Sequence, residues 1–583
     1  MTQSAAAPVA PPSISSAPKP VKPPSAADEM NVKETIESIL VAFILAFIFR
    51  AFVVEAFVIP TGSMAPTLLG AHMRFACTDC GYRFTVNFSG RTNGDDVVVP
   101  SFVEKVPEIT ERVGPDGRVR RGTELKDKVL PLFCPNCGYK VPRVLPNDPD
   151  NDATAPPVFY GDRILVMKYL YLLQEPQRWD VVVFKSPDLP DQFDYQQNFI
   201  KRLVGKPGEA LMVLDGDVYT ADSKPADQLK PTDFHVQRKP RHVQDALWRI
   251  VYDNGYHPQG IARSGEPPFV QPWRVVDGGG WSLPAALPAA RTFVFGGDAG
   301  TIEFDPAANP PTNALTDWLA YDMLVDTERF AHLADLYDKD RRGWREWTNV
   351  RDVKLDLHYA RKDGSGPLRL SVTKLSDTFV AELLPDRVRL LRTTAGGPER
   401  EVASRPFVWP AGRAVHVEFQ NLDYQVSLIV DGQPLLQTDD DYQPDVGYLI
   451  EAFRAHAQLP KPTIRVEARQ QACELTHVGL YRDVHYTNNA DGQGLRWGTP
   501  TSPVVLGPDE FFVCGDNSIV SKDSRYWDKP IDLPDEGLQV EAGRVPRRFM
   551  LGKAFFVYWP AGYRPTSGSP GLVPNFGEMR FIH

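Results

Sequence analysis

One run of apolar residues limits what this chain can become. Residues 39–49 are eleven consecutive apolar side chains, Arg50 interrupts them, and Ala51-Phe52-Val53-Val54 continue. Residues 38–54 make a stretch of 17, the lower limit for a helix that crosses a bilayer. We therefore expect a transmembrane helix over 31–56, against the alternative of a buried core helix. Arg50 lies near one end, where its stem can stay in the apolar layer while its head reaches the interface. Lys19, Lys22 and Lys33 precede the span and favour an inside amino terminus, although Glu34 and Glu37 sit there too. No other run is comparable, so the expected topology is single-pass, in the cytoplasmic membrane, with a large domain on the outer, periplasmic side.

The totals bound the rest. With 583 residues the chain can hold two to four domains. Its net charge of −10 gives no electrostatic support for binding nucleic acid. Residues 1–30 are mostly Ala, Pro, Ser and Lys and bury too little surface to offset ordering, so we expect a disordered Pro/Ala-rich tail. Six cysteines, four of them in two Cys-x-x-Cys pairs, do not make a disulfide scaffold.

Directly after the apolar run comes Val58-Ile59-Pro60-Thr61-Gly62-Ser63-Met64-Ala65-Pro66-Thr67-Leu68. Gly beside Ser, with Pro on both sides, gives a sharp turn that holds a hydroxyl at a strand end. Such a serine is inert without a base. Further along, Gly161-Asp162-Arg163 opens one strand pattern and Arg178 to Lys185 another. In Asn198-Phe199-Ile200-Lys201-Arg202-Leu203-Val204-Gly205-Lys206-Pro207-Gly208, alternation turns one of the two adjacent cations inward. An inward lysine loses proton affinity, because burial disfavours its charged form; a fall from ~10.4 toward ~7 makes it a base near neutral pH. The last such box is Gly515-Asp516-Asn517-Ser518-Ile519-Val520-Ser521-Lys522-Asp523-Ser524-Arg525, in which Asp523 and Arg525 can brace each other.

These pieces, in this order, resemble the bacterial type I signal peptidases. The resemblance covers about 35–76, 158–220 and 503–560. It implies a mainly β fold with a Ser-Lys dyad: Ser63 as nucleophile, Lys201 as general base, the Ser63 backbone N–H and the Thr61 hydroxyl as oxyanion donors. It further implies that Ser521 orients the lysine amine, that Asp523 and Arg525 form a supporting salt bridge, and that Met64 lines the substrate cleft. No cofactor is implied for catalysis. The implied substrates are secretory precursors whose signal peptides end in an Ala-x-Ala pattern. The chain departs from the family at Ser518-Ile519-Val520, where the usual loop carries Arg-Asp-Asn; this puts the loop packing in question more than the chemistry.

Two insertions interrupt the resemblance. Cys77-Thr78-Asp79-Cys80-Gly81-Tyr82 and Cys134-Pro135-Asn136-Cys137-Gly138-Tyr139 look like paired zinc knuckles, four thiolates for one structural zinc. Disulfides are the alternative in an oxidising exterior. Between about 240 and 485 the pattern alternates, as in Val353-x-Leu355-x-Leu357-x-Tyr359 and Val426-x-Leu428-x-Val430 before Asp431-Gly432. Such spacing indicates a β-sandwich, weakly similar to laminin-G or legume-lectin jelly rolls, with a glycan or a protein as its partner. The expected fold is thus a signal-peptidase-like β domain (57–76, 140–239 and 486–583) with a zinc-ribbon-like insertion (77–139) and a β-sandwich insertion (240–485). The expected function is a membrane-anchored serine endopeptidase that removes signal peptides. The competing readings are an inactive anchored sugar- or wall-binding protein on a peptidase scaffold, and a soluble self-cleaving Ser-Lys protease. The intact Ser63, Lys201 and Ser521 oppose the first; the apolar run opposes the second.

Overall fold

The computed structural model describes residues 26–87, 92–93, 96–97, 103–113, 119–129, 132–141, 158–187, 197–261, 267–323, 348–410, 412–487, 497–533, 537–560 and 575–583. The expected disordered tail lies mostly outside them. Two compact units emerge, Met1–Glu55 and Ala56–His583.

In the first unit a helix runs over Ala26–Phe52. The expected helix is therefore present, but among the described residues no helix is long and apolar enough to cross a membrane. The eleven apolar residues 39–49 lie between Glu37 and Arg50. The apolar side chains Leu40, Val41, Phe43, Ile44, Leu45 and Phe47 are all more than half exposed.

The second unit is mainly β. An eight-stranded sheet carries the strands that the boxes predicted. Its order is Val54–Val58, Arg163–Met167, Met550–Trp559, Val181–Lys185, Asn198–Gly205, Glu510–Cys514 and Val545–Pro546, with Arg580–Phe581 added to Met550–Trp559. Asn198–Gly205 is thus a central strand, antiparallel to Val181–Lys185 on one side and to Glu510–Cys514 on the other. Central position buries both of its faces, which is why six of its eight residues, Ile200 to Gly205, are buried.

A four-stranded sheet, His235–Val236, Asp217–Asp222, Glu209–Leu214 and Val504–Val505, continues the same half of the chain. The alternating region after residue 240 does form strands, but they join one thirteen-stranded sheet. Its spine is Ile464–Arg482, a strand of 19 residues that pairs with Thr292–Phe304, Val353–Gly364, Leu368–Lys374 and Arg249–Asp253. The edge strand Arg400–Pro406 returns against Gln433–Gln437, so the sheet curls around its own apolar face. The Asp431-Gly432 turn is a tight hairpin with φ of 45° and 76°.

The two halves share one core. Ala210, Met212, Leu214 and Tyr219 pack in the same cluster as Leu355, Leu357, Tyr359, Leu370, Phe419 and Val466. A buried ionic network crosses the same seam. Lys374 reaches Asp352 and, at 3.4 Å, Asp217; Lys239 reaches Asp423 and, at 3.0 Å, Asp483; Arg351 pairs with Asp215. Burial alone would discharge these lysines, but the surrounding carboxylates hold both well above the usual lysine range.

Candidate active site

The strand Val54–Val58 leads to Pro60, and Thr61 is still extended, at φ −129° and ψ 161°. The chain then tightens into one 3-10 turn, Gly62–Met64, closed by the Ala65 N–H donating to the Gly62 carbonyl at 3.0 Å. A second segment fixes this turn from below. Ile59 N–H donates to the Asp162 carbonyl at 2.9 Å, Asp162 N–H to the Leu69 carbonyl at 2.8 Å, and Leu69 N–H to Asp162 Oδ2 at 3.1 Å. Arg580 closes the buried Asp162 carboxylate at 2.9 Å. A Cβ at Gly161 would lie 1.8 Å from the Ile59 carbonyl oxygen, so glycine alone fits there. The Gly-Asp-Arg box is therefore a brace for the serine turn.

Lys201 Nζ lies 2.6 Å from Ser63 Oγ, and both residues are buried. Desolvation by burial lowers the Lys201 pKa to about 8; Asp523 opposes the fall and Arg525 adds to it. The expected inward cation is thus Lys201, but its neighbour is buried too. Arg202, on the other face, donates to both oxygens of Asp516 at 2.7 Å and to the Trp179 carbonyl at 2.8 Å. The strand pattern could not reveal this, because it does not say that both faces are covered.

The Asp523–Arg525 pair is bidentate and buried, at 2.9 and 2.8 Å, and Gly515 N–H donates to Asp523 Oδ2 at 2.8 Å. Burial raises the Asp523 pKa, but Arg525 and these donors outweigh it and hold the carboxyl below its ordinary range. Arg525 also donates to the Ser518 hydroxyl at 2.7 Å and to the Ser518 and Thr487 carbonyls at 2.9 Å. Ser518 thus makes the departure from the usual loop workable: its short hydroxyl takes up guanidinium donors, while Ile519 and Val520 are buried.

The remaining expected residues are placed as follows. Thr61 Oγ1 is 3.5 Å from Ser63 Oγ. Ser521 is buried beside Gly515, where an added Cβ would meet Ser521 Oγ at 2.2 Å and the Ser63 carbonyl oxygen at 2.4 Å. Its hydroxyl lies near Asp523 and helps hold that carboxyl below its ordinary range. Met64 is fully buried and packs with Ile59, Leu68, Ile164 and Val166, in the core beneath the turn.

Residues not singled out in the sequence also build the site. Asn517 N–H donates to the Ser63 carbonyl at 3.1 Å, and Asn517 Nδ2 donates to the Gly62 carbonyl at 3.2 Å and to Asp322 Oδ1 at 2.8 Å. Asn517 sits in a recognised box, which was its one signal; Asp322 had none.

The four knuckle cysteines converge. Cys77 Sγ is 3.7 Å from Cys137 Sγ, Cys80 Sγ is 3.6 Å from Cys134 Sγ, and all four ligand atoms lie within 4.8 Å of one another. The two turns repeat: Gly81 N–H donates to the Cys77 carbonyl at 2.8 Å, Gly138 N–H to the Cys134 carbonyl at 2.9 Å, and both glycines have positive φ. None of the six cysteines is in a disulfide, and separations near 3.6 Å are far from the ~2.05 Å of a disulfide.

A serine hydroxyl is thus held against a buried lysine whose proton affinity burial has lowered. The family model described as signal peptidase, peptidase S26, matches residues 32–108, 147–253 and 458–559, a little under half of the chain, and includes both residues of the pair. Three stretches of the chain are thus similar to the signal peptidase family. The chain is 34% identical over 118 residues to a probable signal peptidase I-1 of Synechocystis sp., covering 19% of this chain and 57% of that protein. It is 43% identical over 56 residues to signal peptidase I of Aquifex aeolicus, covering 10% of this chain and 20% of that protein. The chain thus spans only 20% to 57% of the length of these two curated relatives. Among solved structures, a carbohydrate-binding module, CBM66, of Bacillus subtilis aligns at 10% identity and a TM-score of 0.21, over 36% of this chain and 94% of that one. A β-glucanase of Bacillus licheniformis aligns at the same identity and score, over 36% and 92%. Scores this low carry no functional argument.

The lysine's charge state gives a direct test. A general base must be neutral to accept a proton, and below pH 8 most Lys201 is protonated. Acylation of Ser63 by a serine-directed reagent should rise about tenfold per pH unit on the acid side and level off above a single ionisation near 8. A flat profile between pH 6 and 9, by single-turnover labelling, contradicts this role for Lys201.

Proposed function

We propose that this chain is a serine endopeptidase that removes signal peptides from secretory precursors. The observation that carries the reading is the 2.6 Å contact between Lys201 Nζ and Ser63 Oγ in a buried setting. In this reading neutral Lys201 takes the Ser63 proton as Oγ attacks the scissile carbonyl. The Ser63 N–H and the Thr61 hydroxyl stabilise the oxyanion, the lysine returns its proton to the leaving amine, and water releases the acyl-enzyme. Ser521 orients the amine, Asp523 and Arg525 hold the loop that carries Ser521, and Met64 shapes the floor of the cleft. No cofactor takes part. Substrates are precursors with small residues at the cleavage site, in an Ala-x-Ala pattern. An inactive sugar-binding scaffold would have no need of the short Ser-Lys contact. The expected test is cleavage of an Ala-x-Ala precursor peptide. Ser63→Ala and Lys201→Ala should each lower kcat by about 10⁴-fold or more. Activity equal to wild type in both would remove the dyad.

The domain division is part of the proposal: a peptidase domain of 57–76, 140–239 and 486–583, a cysteine insertion of 77–139 and a β-sandwich insertion of 240–485 with a glycan or protein partner. In this reading Cys77, Cys80, Cys134 and Cys137 hold one structural zinc. Four buried thiols from two matching turns supply a closed tetrahedral shell, which leaves no open position for catalysis. Elemental analysis of the purified protein should give one zinc per chain, and Cys77→Ser with Cys134→Ser should lose it. A zinc-free wild type would end the idea.

We further propose that the helix Ala26–Phe52 holds the chain at the cell membrane, amino end inside and peptidase on the outer side. Its exposed apolar side chains support this. In flotation with phosphatidylethanolamine–phosphatidylglycerol vesicles the full chain should rise with the lipid, and a chain lacking residues 1–52 should stay in the dense fraction. Equal partitioning of the two counts against the helix as anchor.

A further inference from the structure

The segment Leu319–Met323 lies in the part of the chain that the family model does not match, yet it packs against the serine turn. The Tyr321 ring fills the space beside Gly62: a Cβ there would lie 2.6 Å from Tyr321 Cε1. Tyr321 is buried in a small cluster with Ala65, Leu69 and Leu319. The next residue, Asp322, is also buried, and its Oδ1 accepts from Asn517 Nδ2 at 2.8 Å. That same amide donates to the Gly62 carbonyl, and the Asn517 backbone N–H donates to the Ser63 carbonyl. One residue therefore links a carboxylate of the insertion to two carbonyls of the nucleophile turn, to Gly62 through its side chain and to Ser63 through its backbone.

The geometry of this link is directional. An amide has two N–H donors on Nδ2, and here one goes to Gly62 and the other to Asp322. With Asp322 accepting, the amide plane is fixed and its nitrogen must face the turn. Without it, the amide is free to rotate and present its oxygen to the Gly62 carbonyl, which repels it. The insertion side is itself anchored. Arg482 Nη2 donates to the Trp318 carbonyl at 2.8 Å, and Met323 Sδ accepts from Phe133 N–H at 3.2 Å. Burial pushes the Asp322 pKa up to about 7, while the Asn517 donor and the Arg482 charge pull it down; protonated or ionised, its Oδ1 can still accept.

We propose that Asp322 is a positioning residue of the peptidase, supplied by the insertion, which sets the nucleophile turn through Asn517. This rests on the Ser-Lys peptidase reading above. The insertion then completes the active site rather than riding on it. Asp322 touches no reacting atom; it acts on Ser63 only through Asn517.

The test is steady-state cleavage of an Ala-x-Ala precursor peptide by the full chain, with thermal unfolding of every variant recorded. Asp322→Ala and Asn517→Ala should each lower kcat by ~10- to 100-fold, the scale of a misplaced reacting group, with KM within about twofold. The double variant should lose no more than the worse single one, because both act through one link. Asp322→Asn, whose amide oxygen can accept the same bond, should stay within about threefold of wild type. A general loss of folding would instead lower the unfolding temperature and would not be rescued by the asparagine. Wild-type kcat in folded Asp322→Ala, or multiplied losses in the double variant, overturns the proposal; if Asp322→Ala does not fold, wild-type kcat in Asn517→Ala overturns it equally. The peptidase reading fails separately, when wild type and Ser63→Ala cleave the peptide alike.

Discussion

A lysine amine buried against a serine hydroxyl sets the terms for the rest of this structure. Water has to be kept from Lys201, and the nearby charges have to be arranged so that they do not restore its proton affinity. Burial does the first. The second is a matter of pairing. Asp523 alone would pull the Lys201 pKa up, but Arg525 is clamped on both of its oxygens and largely cancels it. Asp516, a second carboxylate within electrostatic reach, is taken up by Arg202 in the same way. Both arginines are fully buried, so these pairs are costly to assemble. Their value lies in fixing charge and geometry around one weak base rather than in net stability.

The same logic runs through the seam with the insertion. Lys239, Lys374 and Arg351 sit among Asp215, Asp217, Asp352, Asp423 and Asp483, and the side chains of all eight are nearly covered. Removing one member of such a set leaves an unpaired buried charge, at a cost of roughly 3–5 kcal/mol. A seam made this way tolerates one relative placement of the two halves. That matters because the nucleophile turn takes a contact from each half: Asn517 from the peptidase boxes, Tyr321 and Asp322 from the insertion.

What was legible in the sequence follows from what local pattern can encode. Ser63 was visible as a hydroxyl on a constrained turn, Lys201 as a cation in an apolar strand, and Asp523–Arg525 as a spaced pair. Each is a property of a few consecutive residues. The cysteine knuckles were visible because the same six-residue pattern occurs twice. The Arg202–Asp516 pair was not, since it depends on what covers the far face of a central strand. Nor was the single curled sheet: alternation in Val353–Gly364 or Val415–Leu422 marks a strand but not its neighbours, and Ile464–Arg482 pairs with strands distributed over more than a hundred preceding residues. The apolar run was visible for the same reason, as eleven consecutive residues that form part of one helix.

The shared core decides how the insertion should be regarded. Met212, Leu214 and Tyr219 lie on strands within the matched family residues, yet they are buried against Leu355, Tyr359 and Phe419 of the curled sheet. In a peptidase without the insertion that apolar face would need another cover. At about 25 cal/mol per Å² of apolar surface, side chains of this size are worth ~1.5–3 kcal/mol each when buried. A module that merely hangs from a loop leaves its host's core intact, and this one does not. Its strands supply one wall of the core, its carboxylates neutralise the lysines of the seam, and its short segment at Leu319–Met323 closes over the serine turn. Ala56–His583 is therefore one compact unit with a shared core, and the three stretches that match the family model are a part of it.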